Sequence, residues 1–173
     1  MNPKLNLIFA RRSVRAYRND REIPSGMVGD LLEAAMAAPS ACGKDPWRFI
    51  VVREPHRLAA IAAGLPNGQM LSQAGLGIVL CGDLHAAHGN ELSFLLQDCS
   101  AAMENLLLAA QALGLGACWL GVHPREERIA HLRQLLAIPK TVLPVAVVAL
   151  GWPAEDKPAR TRFHAAHVHE ETW

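Results

Sequence analysis

Helices interspersed with short apolar strands predict an α+β or α/β domain with a helix-rich balance. Three observations carry that reading. The segment 91–114 repeats apolar side chains at helical spacing over most of its length. Runs at 48–53, 76–82 and 142–152 have the length and β-branched content of buried strands. No linker, repeat or low-complexity tract divides the 173 residues, so one domain spanning 1–173 with a substantial core is expected.

In order along the chain, PKLNLIFA (3–10) reads as a short helix with Leu5, Ile8 and Phe9 on one side. SGMVGDLLEAAMAA (25–38) reads as a second helix, entered at Ser25 and stopped by Pro39. RFIVVR (48–53) is a strand, and PHRLAAIAAG (55–64) a helix opened by Pro55 and closed by Gly64. LGIVLCG (76–82) is a second strand, followed by DLHAAHGN, polar enough for a loop or lid over 83–90.

The long helix follows, with Asn90 placed to cap its start and Gly114 its end. Leu92, Leu95, Leu96, Cys99, Met103, Leu106, Leu107, Ala110 and Leu113 leave little of its circumference polar. Such a helix belongs at a domain centre or in a subunit interface. GACWLG (116–121) is a short extended piece, PREERIAHLRQLLAI (124–138) an amphipathic helix, and VLPVAVVALGW (142–152) a third strand. The remaining tail is polar, punctuated by proline, and ends at Trp173.

Composition narrows the function. Hydrophobic residues make up 51% and charged residues 19%, a globular balance and not a disordered one. The formal net charge of +1 argues against general attraction to nucleic acid or to an anionic membrane, so basic function must be local. No apolar run approaches the ~20 residues of a membrane span. The start, MNPKLNLIFARR, places a brief apolar patch before its arginines, the reverse of a signal peptide, and a cytoplasmic location is expected. Cys42, Cys81, Cys99 and Cys118 lie far apart with no CxxC pair and read as reduced thiols.

Three stretches carry candidate chemistry. FARRSVRAY (9–17) gathers Arg11, Arg12, Ser13 and Arg15. These either complement a helix C-terminus in solvent or form a phosphate site, since guanidinium forks bind phosphate oxygens in pairs. A second cationic pair, Arg160 and Arg162 in PARTRF, lies at the far end; an anion held from both ends would be a reason to bring them together. APSACGKDPWRF (38–49) and GLGACWLG (114–121) are either turn connections or ledges whose backbone approaches a flat ring.

Taken in this order, RRSVRxY, APSAxxxxPWRF, GLGACWLG, PVAVVALGWPAEDKPARTRF and a final aromatic resemble the FMN-dependent nitroreductase family, from about Leu5 to Trp173. The resemblance implies an α+β, nitroreductase-like fold, with a central, mostly antiparallel sheet surrounded by helices and a long buried core or interface helix. It implies a homodimer with FMN at the subunit interface. Arg11, Arg12 and Ser13 match the family's phosphate-binding opening, Arg15 a cation near the flavin pyrimidine edge, and Arg160 and Arg162 the late basic pair. Pro39, Ser40 and Ala41 match a loop lent by the partner subunit. Leu120 and Gly121 match the segment whose backbone amides approach flavin N5, and Asn67 aligns with an amide on the flavin edge.

Two positions depart from the family's PSxxNxQPW loop: Gly43 and Asp45 stand where an Asn and a Gln are usual. That removes two amide side chains and brings in a negative charge that Lys44 can offset. A basic loop residue near the flavin is replaced by Met70. The implied activity is FMN-dependent NAD(P)H oxidoreduction of nitroaromatics, quinones or similar small electron-poor acceptors. Hydride from NADH or NADPH would reach the flavin and leave by a ping-pong scheme, with no obligatory side-chain acid or nucleophile. The alternatives are a flavin-binding sensor or carrier without turnover, and a dehalogenase-like or flavin-fragmenting enzyme on the same fold. His164, His167 and His169, or His85 and His88, lack the close-set ligand pairs of a structural zinc site and read as solvated or contact histidines.

Overall fold

The computed structural model describes residues 2–18 and 20–173. A 3-10 turn at Pro3–Leu5 leads into α1 (Asn6–Ala10), then the short strand β1 (Tyr17–Arg18) and α2 (Ser25–Met36). Next come β2 (Trp47–Val52), α3 (Pro55–Ala63), β3 (Leu76–Asp83) and the long helix α4 (Leu92–Ala112). β4 (Gly116–Gly121), α5 (Glu126–Leu136) and β5 (Val142–Pro153) complete the order, and the tail beyond holds one 3-10 turn at Ala165–His167. The sheet pairs β2 with β3, β3 with β5 and β4 with β5, all antiparallel, and β1 pairs the end of β5 through Tyr17 opposite Pro153. This is the α+β architecture expected, with β5 as its central strand.

Alternation along the strands sorts the core into two layers, because successive side chains point to opposite faces. Leu76, Ile78 and Leu80 of β3 join Ala146, Val148 and Leu150 of β5 under α2 and α4. Val79 and Cys81, with Val147 and Ala149, face the other way onto α3 and α5. Both faces of the inner strands are therefore dry, which is why their sequences read as continuous apolar runs.

Two details of α4 differ from expectation or sharpen it. Asn90 does not cap it: Asn90 lies in left-handed backbone at φ 55°, and the helix is entered from Glu91 with no side-chain cap. The C-terminal end follows the sequence reading. Gly114 takes φ 73°, its N–H donates to Gln111 O at 3.2 Å, and Leu115 N–H reaches back to Ala110 O at 2.8 Å. That pairing satisfies the last carbonyls of the helix and needs the left-handed residue that glycine supplies. Along its length α4 buries Leu95, Cys99, Met103, Leu106 and Leu107 but leaves Leu92 and Phe94 exposed. Leu5 in the opening 3-10 turn and Leu7 and Ile8 on α1 are exposed as well.

Candidate functional site

The two ends of the chain meet. Residues 9–16 run beside 154–160 in opposite directions, joined by a seam of hydrogen bonds. Arg160 N–H donates to Phe9 O at 3.0 Å and Ala154 N–H to Ala16 O at 2.9 Å. Between them the Arg12 guanidinium donates to Pro158 O. Lys157 Nζ donates to Ser13 O at 2.7 Å, and Arg15 N–H to Glu155 Oε1 at 2.6 Å. Lys157 also pairs with Glu155 at 2.8 Å. The hydrogen bond from Lys157 leads the causes that hold the Glu155 carboxyl below the usual carboxylate range, with the Arg15 amide next.

The seam lies against the sheet because two glycines leave room for it. Val14 packs on Gly116 and Tyr17 on Gly151; a methyl built on either glycine would stand 2.6 Å from Val14 Cγ1 or 2.7 Å from the Tyr17 ring. Ser13 forms a parallel bridge with Ala117, and the Val14 N–H donates to Ala117 O at 2.9 Å. The Tyr17 hydroxyl then donates toward Val14 O at 2.7 Å and Ala149 O at 3.2 Å. Burial pushes its pKa well above the ordinary phenol value, so it remains a donor at any working pH.

This arrangement distributes the residues singled out from sequence. Arg12 and Arg160 line one recess with Lys157, Pro158, Ala159 and Thr161. Arg11 turns to α4 and pairs with Glu104 at 3.2 Å. Arg162 lies just beyond, in the exposed tail.

A second cavity, of about 500 Å³, brings Arg15, Asn67, Leu120 and Gly121 together with Leu65, Gly68, Met70, Cys118, Trp119 and Arg128. Its volume falls in the range of small-molecule sites. Among its lining residues the only formal charges are two arginines, Arg15 and Arg128. The Cys118 thiol is pushed up chiefly by burial, against the pull of Arg15 and Lys157, and stays protonated at neutral pH.

Pro39, Ser40 and Ala41 do not line this cavity. Their loop has its own order: Ser40 Oγ donates to Asp45 Oδ1 at 2.5 Å and accepts the Asp45 N–H at 3.0 Å. Ala41 N–H donates to the buried Asp98 carboxylate at 2.9 Å. Cys42, Gly43 and Asp45 all take left-handed φ values, 53°, 61° and 49°. Left-handed backbone at two non-glycine residues in one short loop is the kind of strain that collects at ligand clamps. The Asp45 carboxylate is thus engaged by Ser40 within the loop, and Lys44 is not its partner.

Sequence reading missed Arg128 and Lys157. Arg128 sits in the polar opening turn of an amphipathic helix, and Lys157 in a Pro-flanked tail, so neither carries a local signal. Among the described residues no group of three or more His, Cys, Asp or Glu is placed to hold a metal ion. His164 and His167 stack on one another at 4.7 Å, and His169 stacks on Trp173 at 4.2 Å.

Comparison with known proteins agrees with the geometry. A family model described as the nitroreductase family matches residues 8–65 and 56–152. A protein of Archaeoglobus fulgidus is 44% identical over 176 residues, covering 100% of both chains; its name, NADH dehydrogenase/NAD(P)H nitroreductase, is itself provisional. An FMN-dependent nitroreductase of Clostridium difficile superposes with a TM-score of 0.90 at 28% identity, over 98% of this chain and 99% of that one. A provisionally named nitroreductase of Desulfovibrio desulfuricans, solved in complex with FMN, gives a TM-score of 0.84 at 35% identity, over 100% and 99% of the two chains. With the sheet order, the seam of the two ends and the arginine-lined cavity in place, the chain belongs to the nitroreductase family.

Proposed function

We propose that the protein is an FMN-dependent NAD(P)H oxidoreductase, one FMN-binding domain that works as a homodimer on small electron-poor acceptors such as nitroaromatics or quinones. The observation that carries this reading is the cavity in which Arg15, Asn67, Leu120 and Gly121 converge, cationic and without a carboxylate. FMN fits the donor set. The seam offers arginines from both ends of the chain, and the cavity that Arg15 shares with it offers about 500 Å³, backbone at the end of β4 and two cations. The relatives solved or named with FMN support the same cofactor.

Bound there, FMN supplies the ring that takes a hydride from NADH or NADPH and passes it on. The protein's residues bind, orient and tune. Arg12 and Arg160, with Ser13 in the same seam, hold the phosphate by charge-assisted hydrogen bonds; Arg11, paired with Glu104, and Arg162, in the exposed tail, join them only by turning toward it. Arg15 and Asn67 face the polar edge of the ring, and the Leu120–Gly121 backbone presents its amides to the reacting side. A cation at the cavity wall favours negative charge developing in the ring. The loop Pro39, Ser40 and Ala41, remote from this cavity, serves the cofactor of the partner subunit. The apolar groups exposed on one chain, among them Leu5 in the opening 3-10 turn, Ile8 on α1, Leu92 and Phe94 on α4, and Phe163 and Trp173 in the tail, are surface that a second copy covers. No described helix is long and apolar enough to cross a membrane, in keeping with a cytoplasmic enzyme.

Purified protein should be yellow and release FMN on denaturation, and NADH or NADPH added without oxygen should bleach it. Bound flavin that neither nucleotide bleaches would make the protein a binder without turnover. Colourless protein that fails to take up added FMN would end the flavin reading altogether.

A further inference from the structure

We propose that Arg128 is a second cationic flavin-binding residue of this site, one that favours the reduced cofactor; the inference rests on the FMN reading above. Arg128 lies in the first turns of α5 (Glu126–Leu136) and reaches the cavity at the far end of β4. One guanidinium nitrogen donates to Gly121 O at 2.7 Å, which fixes the plane of the group at the strand terminus. Its Nε is buried and finds no partner among the described residues. Gly121 O is the one partner the guanidinium finds among the described residues, so its terminal N–H groups at the cavity wall are the donors that a bound ring would meet. No carboxylate lines the cavity, and Met70 adds no charge, so Arg128 and Arg15 are the only formal charges on its wall.

Hydride transfer from a nicotinamide delivers two electrons and one proton to the flavin, which leaves the ring with one more negative charge. A cation held at Gly121 interacts more strongly with that anion than with the neutral oxidised ring. Arg128 therefore tightens binding of reduced FMN more than of oxidised FMN, and raises the two-electron potential. A merely structural guanidinium, clipping α5 to β4 through Gly121, would not discriminate between the two oxidation states.

The test compares wild type, Arg128→Lys and Arg128→Gln, each loaded with FMN, by equilibrium redox titration and by Kd for oxidised FMN. Arg128→Gln should lower the preference for the reduced form about tenfold, a potential about 30 mV more negative. Arg128→Lys, which keeps the charge, should recover most of that shift. An unchanged potential in Arg128→Gln overturns the proposal while leaving the flavin reading intact. Loss of FMN from both variants, together with a lowered melting temperature, assigns Arg128 a structural role and overturns it as well. Loss of FMN from Arg128→Gln alone, with Arg128→Lys still loaded, supports it. Wild-type protein that binds no FMN would instead sink the reading on which the proposal stands.

Discussion

Tyr17→Phe removes one oxygen from the peg that fastens the arginine-bearing strand to the sheet. The residue is buried, and its hydroxyl donates to Val14 O at 2.7 Å with Ala149 O at 3.2 Å. The ring itself remains on Gly151, so shape and charge are preserved and the change is confined to the hydrogen bond. Leaving a buried carbonyl without its donor costs about 1–3 kcal/mol. In a chain of this size each kcal/mol lowers the melting temperature by about 2–4 °C. The assay is urea denaturation of wild type and variant at one fixed protein concentration, since the proposed dimer would make apparent stability concentration-dependent. Hydrogen exchange localises the effect: the amides of Val14 and Arg15 should lose protection while those of β3 keep theirs. A stability change below about 0.5 kcal/mol, the scatter of ordinary surface substitutions, would show that the hydroxyl does not fasten the seam.

Acid should open the same seam from its other side. Glu155 prefers its ionised form in the folded protein, so its contribution is complete above its unfolded pKa near 4.5 and is lost as pH falls through the lowered folded value. Denaturation of wild type and Glu155→Gln across pH should give a stability gap that is constant at neutral pH and closes on strong acidification; a gap that ignores pH refutes the assignment. Thiol reactivity tests the core. Cys42 is exposed, whereas burial pushes Cys81 and Cys99 up to about 12 and raises Cys118. At pH 8 a thiol reagent should therefore modify no more than one cysteine per native chain, and all four only after unfolding; two fast thiols in the native protein would contradict the packing.

The features legible in the chain before folding are local and periodic. The helices 25–36, 55–63 and 92–112 announce themselves by apolar spacing and by the proline or glycine at their ends, because helical bonds close within four residues. The inner strands at 76–83 and 142–153 do so by apolar runs that must be dry on both faces, and the edge strand at 47–52 by its β-branched residues. The family motifs are short and contiguous, so Arg15, Leu120 and Gly121 are legible as candidates in the sequence, whereas Asn67 lies outside them. Which side chains become neighbours is set only when the chain folds. Arg15 meets Glu155, Ser13 meets Lys157, and Arg128 reaches Gly121 across the turn into α5. Asn90 gives up its capping role because the preceding turn takes it into left-handed backbone. Asp45 gives its charge to Ser40 and not to Lys44. Such pairings leave no periodic trace in the chain, since the contacting residues share no spacing and become neighbours only when the sheet closes.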